Sequence, residues 1–239
     1  MHSPYGMDII ESCSECKVRT ERFFCELPQE QLKEFEGLKY ATVFPKGAVL
    51  FVEGQTPRGI FMLCTGRVKL STCSGDGRSI ITEIAEQGQV LGLSAAISNR
   101  PYEVTAETLS PCQINFIKRD DLLKFLAHNG IACLRVAEHL SESYHSAHEQ
   151  VRSLGLSHSA SEKLARLLLD WCARNGKEND RGINLKLTLT HEEISQLIGA
   201  SRETVTRLLG EFKSKQIIYV KGSTLVIKNK AALEAMVDA

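Results

Sequence analysis

The sequence predicts an α+β fold in which an antiparallel β-barrel or jelly roll is followed by one long helix and a small helical domain. Three observations carry that reading. Short β-type runs alternate with glycines from Tyr40 to Lys118, an apolar repeat of helical period begins near Asp120, and helix-capping signals recur after Ser159. With 239 residues, 43% of them hydrophobic, the chain can bury one large core or two modest ones. The expected segments are a cysteine-containing stretch 1–27, a barrel 28–118, a helix 119–158 and a C-terminal domain 159–239.

The first twelve residues, MHSPYGMDIIES, lack a basic start followed by an apolar run. No later stretch approaches the roughly 18 apolar residues of a membrane span. A cytoplasmic protein without membrane contact is expected, so its eight cysteines should be thiols or ligands before disulfides. The formal net charge is zero, but residues 1–149 hold 15 Lys and Arg against 19 Asp and Glu, and residues 150–239 hold 14 against 10. A basic C-terminal part is compatible with nucleic acid as its partner.

The β segment comprises ATVF, AVLFVEG, GIFMLCTG, RVKLSTC, SIITEIA, EVTAET and QINFIK, with Gly47, Gly54, Gly59, Gly66, Gly75, Gly77, Gly88 and Gly92 as punctuation. That is the spacing of turns in an antiparallel barrel or jelly roll. Beyond Asp120, Cys133, Ala137, Leu140, Tyr144, Ala147, Val151 and Leu154 recur at intervals of four and three on a long helix. Their flanks, including His139, His145 and His148, are polar, so the stripe is narrow. It suits a partner helix, and a parallel homodimer seam is expected; the alternative is a helix lying on its own barrel.

The C-terminal domain opens with SASEKLARLLLDWCARNG, an amphipathic helix capped by Ser159 or Ser161 and closed by Gly176. After the strand INLKLTL, Thr190 and Glu193 form a capping box for a short helix from about His191 to Gly199. Ser201 caps a second helix almost at once, and two helices so tightly joined make a helix-turn-helix. At 100° per residue from Arg202, Val205, Leu208, Leu209 and Phe212 fall between about 240° and 340°, whereas Glu203, Thr206 and Arg207 fall with Arg202 between 0° and 140°. One face packs; the other offers guanidinium, carboxylate and hydroxyl groups to base edges. The following hairpin, IIYVKGSTLVIK, is a wing, with Lys213, Lys215, Lys221 and Lys228 as candidates for phosphate. The plain alternative is a solvated face with pairs such as Glu203 and Arg207.

The stretch LTLTHEEISQLIGASRETVTRLLGEFKSKQIIYVKG resembles the winged helix-turn-helix of the CRP/FNR family of bacterial transcription regulators. Almost the whole chain follows that family's order. The resemblance implies a cyclic-nucleotide-binding-type β-barrel, a dimerisation helix and a reading set of Arg202, Glu203 and Arg207, with Thr206 and Ser201 beside them. It also implies double-stranded DNA with a pseudo-palindromic operator as partner, and RNA polymerase as a second. A cyclic nucleotide is not expected. Leu93 stands after Gly92 where nucleotide binders of the family carry a glutamate, and Glu103-Val104 falls near their Arg-Ser phosphate clamp, where a carboxylate would repel the phosphate.

The segment CSECKVRTERFFC places Cys13, Cys16 and Cys25 close together in a polar stretch, and Cys112 lies in SPCQINFIK. Thiolates so grouped hold soft metals or iron-sulfur clusters. The residues alone leave a cluster, zinc and thiol-disulfide sensing open. Resemblance to the oxygen-sensing FNR branch implies a 4Fe-4S cluster on Cys13, Cys16, Cys25 and Cys112, although the interval from the second to the third cysteine is longer here. Cys64, Cys73, Cys133 and Cys172 fall in strand or helix patterns and are read as structural. Catalysis is not expected, because the phosphate-cradling, H-E-x-x-H and G-x-S-x-G motifs are all missing. The function implied is DNA binding controlled by oxygen or redox state; a regulator answering a small molecule or thiol oxidation, and a DNA-independent interaction module, are its rivals.

Overall fold

The computed structural model describes residues 4–7, 9–16, 23–156, 159–175, 177–179, 182–186, 189–222 and 224–237. The chain forms two compact units, Met1–Ala147 and His148–Ala239. Gly176 and the side chains of Leu154 and Lys221 lie outside the described set.

In the first unit a 3-10 turn, Phe23–Glu26, leads into helix α1 (Gln29–Leu38). Strands β1 (Lys39–Phe44), β2 (Val49–Phe51), β3 (Gly59–Thr65), β4 (Val68–Cys73), β5 (Ser79–Ala85) and β6 (Val90–Leu91) follow. Helix α2 (Leu93–Ser98) precedes β7 (Thr105–Thr108) and β8 (Cys112–Lys118). The strands pair antiparallel as two four-stranded sheets, ordered β1-β8-β3-β6 and β2-β7-β4-β5, which is the expected jelly-roll arrangement. Helix α2 and the two-residue β6 were not among the expected elements.

Side-chain alternation divides this unit into two cores. Leu63 of β3 and Cys112 and Ile114 of β8 join Phe51, Val68, Ala106 and Tyr102 in one. Ile60 and Met62 of β3 and Ile117 of β8 join the other, with Phe23, Phe24, Leu32, Phe35, Leu122 and Phe125. Phe24 and Phe35 are fully buried with ring centroids 4.5 Å apart. Burying each contributes on the order of 2–3 kcal/mol, so the N-terminal turn is anchored on the outer face of the β3–β8 sheet.

The sequence reads as one helix from Asp120, but the structure has two: α3 (Arg119–His128) and α4 (Gly130–Leu156). Asn129 separates them. Its backbone leaves helical geometry and its Oδ1 accepts from the Ala132 amide at 3.1 Å, capping the second helix. Helix α4 runs across the division between the two units.

The second unit contains α5 (Ala160–Asn175), β9 (Lys177–Asn179), β10 (Gly182–Lys186), α6 (His191–Ile198), α7 (Arg202–Ser214), β11 (Ile218–Lys221), β12 (Thr224–Ile227) and α8 (Lys230–Val237). Its sheet runs β11-β12-β10-β9. Ser159 caps α5, accepting from the Glu162 amide at 3.1 Å. Among the described residues no helix is long and apolar enough to cross a membrane.

Candidate sensor pocket and nucleic-acid interface

The C-x-x-C segment is pinned at two points. Gln113, fully buried on β8, exchanges two hydrogen bonds with the Ile10 backbone, its Oε1 accepting at 2.8 Å and its Nε2 donating at 2.7 Å. Glu36 of α1 receives the amides of Cys13 and Ser14 at 3.1 and 3.3 Å on one carboxylate oxygen. Burial would raise the Glu36 pKa, but those amides, the Ser12 hydroxyl and the Lys39 charge outweigh it and hold the carboxyl below its usual range. Lys39 Nζ also donates to the Glu11 carbonyl and lies 3.2 Å from Cys13 Sγ. Cys25 belongs to the turn held down by Phe23 and Phe24.

Cys13, Cys16 and Cys25 line one small pocket beside Leu32, Met62 and Lys39. The fourth cysteine on its wall is Cys64, which the sequence reading placed among structural residues. Cys112 is not part of the wall. Its fully buried side chain faces the space between the two sheets, where its Sγ donates toward the carbonyls of Ser110 and Arg67 at 3.1 and 3.4 Å. The cause is alternation: Gln113 and Asn115 of β8 face the N-terminal segment, so the even-numbered neighbours face away. On β3 the same rule puts Cys64 with Ile60 and Met62, at a register shift between Leu63 and Thr65.

Cys64 is coupled to the three N-terminal sulfurs. Burial, reinforced by the charges of Cys13 and Cys25, pushes its thiol up to about 12. Asn115, 1% exposed and also on the pocket wall, donates Nδ2 to Cys64 Sγ at 3.1 Å. Its buried Oδ1 has no hydrogen-bond partner among the described residues. Burial also raises the Cys13 thiol, against the opposing charge and hydrogen bond of Lys39. No three His, Cys, Asp or Glu side chains among the described residues are gathered closely enough for a single metal ion. A cluster takes one thiolate at each iron, so its ligands are spread more widely than those of one zinc ion.

The turn carrying Cys25 is bonded to α4. Glu26 pairs with Arg135 at 2.8 Å, and the Phe23 ring packs 4.9 Å from that of His139. His139 Nε2 lies 3.0 Å from the Val90 carbonyl, which can only accept, so that nitrogen carries the proton. The sequence reading left His139 on a solvated polar face; it is half-buried against Phe23 and β6 instead. Of the proposed seam, Cys133, Ala137, Tyr144, Ala147 and Val151 are exposed, and Leu140 is half-buried against its own core.

In the C-terminal unit the capping box is complete. Thr190 Oγ1 accepts from the Glu193 amide at 3.1 Å, and the Glu193 carboxylate accepts from the Thr190 amide at 2.7 Å. Gly199 closes α6 at φ 63°, a left-handed conformation that costs glycine little. Ser201 accepts from the Thr204 amide at 3.2 Å and starts α7. Val205, Leu208, Leu209 and Phe212 are buried, while Arg202, Glu203, Thr206, Arg207 and Lys213 are exposed. Arg207 pairs with Glu211 rather than Glu203. The Glu203 carboxyl is held below its usual range by its own amide and the Ser201 hydroxyl, at the positive end of the helix. Thr206 donates to the Arg202 carbonyl and meets His191 Nδ1, both at 2.9 Å, which brings His191 to the edge of this face. Sequence reasoning missed His191, because only the packing of α6 on α7 places it there.

In the barrel, Leu93 is buried, and the Glu103 carboxylate is exposed and accepts from the Ser94 hydroxyl at 3.0 Å. The Tyr102 ring stacks 4.0 Å from Phe51 and lies so close to Gly92 that a Cβ there would stand 2.6 Å from it.

Comparison with known proteins agrees with this architecture. Residues 41–129 match the cyclic nucleotide-binding domain, and residues 162–236 match the Crp-like helix-turn-helix domain. The fumarate and nitrate reduction regulatory protein of Yersinia pestis is 25% identical over 92% of this chain and 88% of its own. A CRP-like cAMP-activated global transcriptional regulator of Mycobacterium tuberculosis is 25% identical over 80% of this chain and 84% of its own. A mutant of CooA from Carboxydothermus hydrogenoformans shares the fold, with a TM-score of 0.75 and 19% identity over 96% of this chain and 98% of that one. Both of these sequence relatives are regulators by their names. With a barrel of that type, a helix-turn-helix with an exposed polar face on α7 and matches to both domains, the chain belongs to the CRP/FNR family of DNA-binding transcription regulators.

Proposed function

We propose that this regulator acts as a homodimer whose binding to a pseudo-palindromic operator is set by oxygen or redox state, through a 4Fe-4S cluster held by its N-terminal cysteines. One observation carries the reading: Cys13, Cys16 and Cys25 line a single pocket, and the turn that bears Cys25 is bonded to α4 through Glu26–Arg135 and Phe23–His139. A bound cluster would supply oxygen-sensitive iron ligation at these thiolates. The remaining steps belong to this chain. Cys13 and Cys16 lie on the segment pinned by Glu36 and Gln113, and Cys25 lies in the turn that Glu26 and Phe23 hold against α4. Loss of the thiolate ties would loosen that turn and shift the helix whose exposed seam meets its twin, changing the spacing of two α7 helices on DNA.

On DNA, Arg202 and Arg207 would pair with guanine edges and Glu203 with cytosine N4, while Lys213 and Lys221 would contact phosphates. The family resemblance adds RNA polymerase as a further partner. The match to a cyclic nucleotide-binding domain favours a second reading, a small-molecule ligand in the barrel. Leu93 and Glu103 argue against a cyclic nucleotide as that ligand, since Leu93 offers no acceptor to ribose hydroxyls and the Glu103 carboxylate would repel a phosphate. Protein prepared without air should contain iron and sulfide, absorb visible light and bind its operator differently before and after exposure to oxygen. Colourless, iron-free protein with unchanged DNA binding in both states would remove the cluster and leave the barrel ligand as the signal.

A further inference from the structure

Resting on the cluster reading above, we propose that the fourth cysteine ligand is Cys64 of β3, and that Cys112 is a structural thiol of the barrel interior. The choice follows from the parity of two adjacent strands. β3 and β8 are neighbours in one sheet, with Met62 opposite Asn115. Residues on one face of that pair (Ile60, Met62 and Cys64 on β3; Gln113, Asn115 and Ile117 on β8) meet the N-terminal segment. Cys112 projects from the opposite face into the sandwich, between the carbonyls of Ser110 and Arg67. For Cys112 to join the N-terminal thiols, its strand would have to slip by one residue. That slip would drag Gln113 from Ile10 and turn Ile117 out of its core.

The chemistry of the pocket suits four thiolates. The Asn115 amide already donates to Cys64 Sγ, an N–H···S contact of the kind that stabilises a ligating sulfur. Four thiolates around iron and sulfide leave a net negative charge, and Lys39 sets a cation 3.2 Å from Cys13 Sγ to offset it. The register shift between Leu63 and Thr65 places Cys64 where strands commonly redirect a side chain toward a site.

The test uses the full chain produced without air as wild type, Cys64→Ala and Cys112→Ala, with iron and acid-labile sulfide measured per protomer. The expected result is wild-type content in Cys112→Ala. Cys64→Ala should lose at least about tenfold, the smaller effect that removal of even an outer-shell partner produces. Wild-type content in Cys64→Ala together with loss in Cys112→Ala would overturn the assignment while leaving the cluster reading intact. A wild-type protein without iron or sulfide would instead overturn the cluster reading itself. Should either variant fail to fold by circular dichroism, alkylation of the wild type decides. Cys64 should be protected with Cys13, Cys16 and Cys25 when iron is bound and become reactive after chelation, and equal labelling of Cys64 in both states would refute its role.

Discussion

Arg202 and Lys213 both expose a positive charge on α7, yet their loss should be felt differently. Arg202 stands in the first turn, where a guanidinium can engage two acceptors on one guanine, so Arg202→Ala should cost about 1–3 kcal/mol of discrimination and relax preference at one operator position. Lys213 lies in the last turn. Lys213→Ala should weaken all duplexes alike and reduce the slope of log affinity against log salt by about 1. Binding titrations on matched and mismatched duplexes at several salt concentrations separate the two; equal losses on every duplex for Arg202→Ala would deny it a reading role. The exposure of these residues is legible in the sequence because caps and helix phase are local: Thr190, Glu193 and Ser201 fix where α7 begins, and 100° steps do the rest. Cys64 was not legible in the same way. Alternation along GIFMLCT places it with Ile60 and Met62, but the identity of what covers that face is decided by Phe23 and Phe24 packing there from far away in the chain. Glu36 was equally hidden, since it matters only through amides some twenty residues distant. Glu36→Ala strands those amides without an acceptor, and iron should then be lost faster to a chelator than from the wild type.

At the scale of elements, strands of six or seven residues bounded by glycine were readable, whereas β6, with two residues, carries too little pattern to stand out. Helix α2 was hidden for a related reason: LSAAIS is short and buries three of its six residues, so no exposed polar face announces it. The break at Asn129 shows a local signal overriding a periodic one. The apolar repeat continues through it, but an asparagine side chain that caps the next helix, followed by glycine, ends α3. In consequence, α4 begins afresh and offers Arg135 and His139 to the cysteine-bearing turn. Arg135 and Glu26 are each about one-third exposed, so the pair is worth little to stability. Its value would lie in coupling. Arg135→Ala should therefore retain iron and sulfide but narrow the difference in operator affinity between anaerobic and air-exposed protein. Unchanged oxygen dependence would show that the turn signals to α4 through Phe23 alone or not at all.

Within the whole molecule, α4 carries an apolar stripe that is open to solvent in the protomer. Tyr144 and Val151, seven residues apart on α4, are 67% and 69% exposed. Leaving such side chains in water forgoes roughly 1.5–3 kcal/mol apiece, a gain that a matching helix in a second copy would recover. Tyr144→Glu combined with Val151→Glu would set like charges against each other across a parallel seam without touching either core. The double variant should sediment as a folded monomer with unchanged thermal unfolding of the protomer. A single α7 then holds one half-site, and the effective-concentration advantage of linking two such modules, commonly 10²–10⁴-fold, disappears. The affinity for a two-half-site duplex should drop by at least about 100-fold, while that for an isolated half-site stays the same. A double variant that remains dimeric, or a monomer that grips the full site as tightly as before, would place the interface elsewhere and deprive α4 of its part in transmitting the state of the cysteine pocket to DNA.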